Sequence, residues 1–154
     1  MKKLVFVLAA LLLAGTGCIS SSVPQSPVNQ PAPSAAPTAI LDPHGPEAKA
    51  DLIKVDSLKP GDTVSSPLTI TGQARGTWYF EASFPAQVLD ANGNVLVAVP
   101  AEAQSDWMTE DFVPFKVTLT FPTPLTANGT IVLKKDNPSG LPEHEDELRI
   151  PVRF

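Results

Sequence analysis

Cysteine is nearly missing from this chain, which has one, Cys18, in 154 residues. No disulfide can form within one copy, so the folded part draws its stability from a packed core. Histidine is almost as scarce: the only two are His44 and His144. A serine nucleophile needs a base held by a third group, and neither a nucleophile elbow nor a glycine-rich phosphate loop accompanies His144. No catalytic residue and no cofactor is therefore expected. Basic residues are in the minority, at 11 against 16 acidic. Two of them, Lys2 and Lys3, open the chain, and from Cys18 onward the balance is 9 against 16, near −7. Such an acidic surface is unsuited to tracking a phosphate backbone, so nucleic acid is not an expected partner. Long hydrophobic runs are also missing. The longest, Leu4 to Ala14, would make a helix of roughly 16 Å against a hydrocarbon core of about 30 Å.

What the first residues do contain is an ordered series: Lys2 and Lys3, the apolar run, then Gly15, Thr16 and Gly17 before Cys18. Residues 1–17 read as a secretory signal peptide. Small side chains placed directly before a cysteine at the end of an export signal resemble the lipobox of bacterial lipoproteins. The resemblance departs at Gly15, where that family prefers leucine. It implies cleavage before Cys18, a diacylglyceryl group on the thiol, and palmitate-type acylation of the new amino terminus. Acyl chains contribute about 0.8 kcal/mol per buried methylene, so two or three would anchor the chain to a membrane where one holds only marginally. Ile19, not aspartate, follows the cysteine. By analogy with lipoprotein sorting, the protein is expected at the outer membrane of a diderm host, and otherwise on the outer face of the cytoplasmic membrane.

Residues 18–50 hold seven prolines among serine, alanine, asparagine and glutamine, without apolar periodicity. That composition cannot build a core and predicts a disordered, extended tether. From residue 51 to 154 the pattern changes to period two. In "KVTLTF", Val117, Leu119 and Phe121 alternate with Lys116, Thr118 and Thr120, and in "LRIPVRF", Leu148, Ile150, Val152 and Phe154 alternate with Arg149, Pro151 and Arg153. "DLIKVD" and "PLTITGQA" repeat the alternation, and "GTIVLKK" is a more continuously apolar strand. Such segments bury one face and wet the other. Turn signals separate them: Pro60-Gly61, Asn92-Gly93 between two apolar runs, and "FPTPLTANGT" with Asn128-Gly129. The expected fold is all-β, an antiparallel immunoglobulin-like sandwich of about seven strands. Pro151 lacks an amide hydrogen, which places the last strand at an edge or turns that position away from the ladder.

"VDSLKPGDTVSSPLTITGQARGTWYFEASFPAQVLDANGNVL", "DWMTEDFVPFKVTLTF" and "KDNPSGLPEHEDELRIPVRF" resemble the immunoglobulin-like domain of bacterial spore-germination proteins over nearly all of residues 51–154. The resemblance implies an extracytoplasmic sandwich used for binding or assembly. That family offers no catalytic residues to carry over.

Three stretches stand out as candidate surfaces. "TWYFEASF" and "QSDWMTEDFVPF" concentrate aromatic residues, which give large contact area at low entropy cost. A functional face there would use Trp78, Tyr79 and Trp107 as contacts, with Arg75 and Glu81 as polar companions; the competing role is to close the ends of the sandwich. "LPEHEDEL" gathers Glu143, His144, Glu145, Asp146 and Glu147. Its oxygens suit calcium, but the run lacks the glycine-centred spacing of a calcium loop, and a solvated charged loop explains it. The expectation is a membrane-anchored, non-catalytic binding or assembly module of the bacterial envelope, with an envelope protein or the cell wall as partner. The alternatives are a wall or carbohydrate binder using exposed aromatics and a module that inhibits a protease by presenting a loop.

Overall fold

The computed structural model describes residues 42–154. The leader, Cys18 and the tether up to residue 41 lie outside the described residues. Seven strands follow in order: β1 Ile53–Val55, β2 Leu68–Arg75, β3 Ser83–Asp90, β4 Val95–Ala103, β5 Phe112–Leu119, β6 Asn128–Lys134 and β7 Glu147–Arg153. Their spatial order is β1-β2-β5-β4-β3-β6-β7, with every neighbouring pair antiparallel. Two single 3-10 turns, Gly76–Trp78 and Pro142–His144, are the only helical pieces among the described residues.

The sheet is folded over on itself. β4 pairs with β3 from Val95 to Glu102, but only Glu102 and Ala103 reach β5, opposite Lys116 and Phe115. This narrow join lets β1-β2-β5 form one layer and β4-β3-β6-β7 the other. The path is that of an immunoglobulin sandwich whose fourth strand crosses between layers. At the far side, Thr63 makes a parallel bridge to Arg153, so the sandwich is nearly closed. β7 is last in the order, yet its outer edge is covered. Arg149 N donates to His44 O at 2.7 Å, Arg153 N to Asp62 O at 2.9 Å, and Gly61 N to Pro151 O at 2.7 Å. Odd-numbered residues of β7 thus face away from β6, and Pro151 sits where no ladder donor is needed.

Alternation sets the core. Ile70, Ala74, Val113, Phe115, Val117 and Leu119 from one layer meet Phe84, Ala86, Val88, Ile131, Leu133, Leu148, Ile150 and Val152 from the other, all buried. Each large side chain so removed from water contributes roughly 1.5–3 kcal/mol. Asn92-Gly93 does turn the β3-β4 hairpin: Gly93 has φ +84°, and Asp90 Oδ1 accepts the amides of Asn92 and Asn94 at 2.8 Å each. Asn128-Gly129 is different. It lies inside β6, and a Cβ on Gly129 would meet Leu89 O at 2.4 Å and the Phe154 ring at 2.3 Å, so glycine there serves close packing.

Residues 42–50, expected to belong to the tether, pack on the domain. Asp42 O accepts Gly45 N at 2.9 Å, Lys49 O accepts Leu52 N at 2.8 Å, and Lys49 Nζ pairs with Asp146 Oδ1 at 2.5 Å. The folded unit therefore starts earlier than residue 51, because His44 and Lys49 supply partners for β7 and for the loop before it.

Candidate functional site

Three connections meet at the end where residues 42–52 enter the domain: 76–82 between β2 and β3, 104–111 between β4 and β5, and 135–146 between β6 and β7. Gly76 is the junction. Its amide donates to Asp111 O at 3.1 Å, and a Cβ on it would fall 1.8 Å from Thr109 O and 2.4 Å from Trp107 O. Only glycine lets these backbones approach. Asp136 N donates to Trp78 O at 3.0 Å, tying the third connection to the first.

Of the two roles open to Trp78 and Tyr79, the structure gives them closure of the sandwich end and not the surface contact named for a functional face. They are 1% and 4% exposed and form the plug at this end of the core. The 3-10 turn Gly76–Trp78 drops the indole inward, and the extended backbone of Tyr79 sends its ring after it. Tyr79 meets Phe84 edge to face at 5.1 Å, and Phe84 meets Phe115 at 5.0 Å, linking the two layers through rings. The Tyr79 hydroxyl donates to Val113 O at 2.7 Å. Burial pushes the phenol pKa well above its ordinary value. Trp107 is half-buried against the same core. The aromatic platform expected from these three residues is therefore not formed, since two of them are consumed by packing.

Arg75 is also committed to structure. Its guanidinium lies 4.1 Å from the centroid of the Phe112 ring, its Nε donates to Asp51 O at 3.0 Å and its Nη1 to Glu110 O at 3.3 Å. It fastens the entry of the chain and the second connection to the strands. Of the polar companions expected, Glu81 alone stands free in solvent. His144 is exposed in its 3-10 turn. The carboxylates of residues 143–147 do not converge: among the described residues no three groups of the metal-ligating type come together.

The surface that does exist at this end consists of side chains not singled out from the sequence. Phe80 is 42% exposed, Met108 77%, and Leu141 about half, one from each connection. The turn after Phe80 is strained. Phe80 N and Ser83 O pair at 3.0 Å, and Ser83 N and Phe80 O at 3.1 Å, closing a two-residue turn in which Glu81 and Ala82 have φ of 49° and 62°. Such turns are normally written Asn-Gly, because a Cβ in the left-handed region costs energy. Strain of this kind persists where the surroundings over-determine it and concentrates at functional sites. Here Ala82 O is held by Ala103 N at 2.8 Å. One signal could have located Phe80: if Tyr79 points inward on extended backbone, its neighbour points outward. The strained turn has none, since Glu-Ala is not a turn pair.

Charge collects on the same loops. Glu81, then Asp106, Glu110 and Asp111, then Asp136, Glu143, Glu145 and Asp146 face a single lysine, Lys135, on the three connections.

No curated protein sequence matches the chain. Residues 52–141 match the family described as the immunoglobulin-like domain of bacterial spore germination. The matched span stops before β7, which nonetheless completes the same sheet. With more than half its length matched, and a seven-stranded sandwich running through and beyond the matched span, the chain belongs to that family of immunoglobulin-like domains.

Proposed function

We propose that this protein is a lipid-anchored, non-catalytic binding or assembly module of the bacterial cell envelope, held at the membrane through Cys18 and engaging an envelope protein through its three-loop end. The family supports a binding or assembly role. The observation that carries the choice of surface is the exposure of Phe80, Met108 and Leu141 on three connections, two joined at Gly76 and the third tied to them at Trp78. A monomeric domain of this size could bury such side chains in its own core. Presenting one on a strained turn costs stability and gains a fixed contact. Carbohydrate binding through Trp78 and Tyr79 loses its basis with their burial.

The test is site-specific photo-crosslinking in intact cells, with a benzophenone amino acid at position 80, 108 or 125. Leu125 is fully exposed at the opposite end and serves as the reference. Specific adducts are expected from 80 and 108 and not from 125. Adducts from 125 alone, or from none of the three, would overturn the proposed surface. In parallel, metabolic lipid labelling should mark the chain and be lost with Cys18→Ala; an unmodified Cys18 would remove the anchor.

A further inference from the structure

The carboxylates of the three-loop end divide into two groups. Some are used internally: Asp106 Oδ1 accepts Met108 N at 3.1 Å, and Asp146 Oδ1 binds Lys49 Nζ and accepts Glu147 N at 2.9 Å. Others, including Glu81, Glu110 and Glu143, are exposed, and their carboxylates accept no hydrogen bond among the described residues; Arg75 reaches only the backbone carbonyl of Glu110. These belong to the same three connections as Phe80, Met108 and Leu141, the exposed apolar side chains of that end. An exposed carboxylate with no internal partner is available to a cation brought from outside.

Resting on the reading above, we infer that the partner presents a protein segment in which lysine or arginine side chains flank an apolar contact. The chemistry narrows the choice in steps. A metal ion needs converging ligands, and these carboxylates are dispersed over three loops without a group of three. Anionic lipid and nucleic acid are repelled by three connections carrying eight acids against one lysine, with Lys49 already paired to Asp146 and Arg75 held on the Phe112 ring and the backbone of Asp51 and Glu110. An uncharged glycan would need a broad open aromatic platform, and with Trp78 and Tyr79 closed off and Trp107 half-buried, Phe80 is the one exposed ring on the three connections. A basic segment satisfies both halves of the surface: its cations meet the dispersed acids, and its apolar centre meets Phe80 and Met108. The strained Glu81-Ala82 turn fixes Phe80 before the partner arrives, which lowers the ordering cost of binding. Met108, unbranched and polarizable, adapts to the contour it meets. The charges act chiefly on encounter and on rejection of acidic competitors, so the complex should be salt-sensitive.

The probe is the crosslinker at position 80 in the full-length, membrane-held chain, compared with the same chain carrying Glu81→Gln, Glu110→Gln and Glu143→Gln. Three exposed ion pairs lost together should lower adduct yield roughly tenfold. Raising salt in isolated envelopes should lower it in the unsubstituted chain and much less in the triple variant. Mass spectrometry should place the adduct in a partner peptide rich in lysine or arginine. An unchanged melting temperature of the triple variant confirms that the fold is intact. Equal yields from the two chains, or an adduct in a peptide without excess basic residues, would overturn the basic partner and leave the binding module standing. No adduct from position 80 or 108 in either chain would overturn both.

Discussion

At the end where the chain enters, Tyr79, Phe84 and Phe115 interlock edge to face beneath Trp78; at the opposite end Phe121 leans on Phe154, with ring centroids 5.9 Å apart, above Leu58 and Val64. Both ends are thus sealed by aromatic packing, and they differ in what lies outside the seal. The first is ringed by carboxylates and carries apolar tips on a strained turn. The second is built from sequence without charge between Lys116 and Lys134, from a β1-β2 connection in which Asp62 Oδ2 accepts the Lys59 amide, and from ordinary turn chemistry: the Asp90–Asn94 loop uses a glycine at positive φ and an aspartate that caps its own amides. A cleft of about 310 Å³ there is lined largely by apolar side chains, Val64, Phe121, Pro122, Pro124 and Phe154, and Leu125, next along the chain, is fully exposed. Strain and charge together mark the first end, and a closed core alone requires neither.

The largest effect should come from the same substitution made at each end. Gly76→Ala drives a methyl into Thr109 O and Trp107 O, backbone atoms that cannot yield singly, and should cost about 3 kcal/mol or more. Gly93→Ala has open space around it and bears only the left-handed backbone penalty, about 1 kcal/mol. Thermal melting of the two variants reads the difference, and equal losses would break the contrast between a wedged junction and a free hairpin.

Next in size is Tyr79→Phe, which strands the Val113 carbonyl and should cost roughly 1–2 kcal/mol. This is the single tyrosine of the chain, so tyrosinate absorbance reports on it alone. Its folded pKa is raised by burial, so the stability linked to the neutral phenol is whole below about pH 10, the unfolded value, and is lost as pH rises beyond it. Tyrosinate absorbance should therefore appear with unfolding; a free titration near the ordinary value in the native protein would show that the plug is open.

These cases mark how far sequence reaches. The alternation of "KVTLTF" and "LRIPVRF" set the inward faces of β5 and β7 correctly, because a half-buried strand writes its orientation into every second residue. The Asn92-Gly93 hairpin was legible because its two residues share one backbone preference. The choice between end closure and surface contact for Trp78 and Tyr79 was not legible because a 3-10 turn breaks the period: an aromatic run outside a strand carries no information on which member turns inward. The domain boundary slipped for a related reason. Residues 42–50 bind by backbone carbonyls and one lysine, and carbonyls are the same in every sequence.

The strained turn gives a smaller prediction of opposite sign. Glu81→Asn with Ala82→Gly supplies residues that accept the observed φ values and should stabilise the domain by about 1 kcal/mol. Because Asn-Gly keeps the turn, crosslinking from position 80 should persist. Stabilisation with loss of the adduct would mean that the Glu81 carboxylate, not the position of Phe80, holds the partner, so this pair of readouts separates charge from shape at one turn.

The smallest effect lies at the quiet end. Asp90 is partly exposed at the end of β3, and the side-chain amide of Asn94, with help from the Asn92 and Asn94 backbone amides, holds its carboxyl below the ordinary value. A carboxyl depressed in the folded state stabilises above its unfolded pKa, near 3.9, and that contribution is lost as pH falls through the lower native value. Asp90→Asn keeps one acceptor and removes the charge, so melting temperature should fall less steeply with acid below about pH 4 than in the unsubstituted protein, with little change at neutral pH. An unaltered acid limb would show that the hairpin is held by Gly93 and the strands alone. Crosslinking from position 80 should not respond in either case, because nothing connects Asp90 to the three-loop end except the core that both ends share.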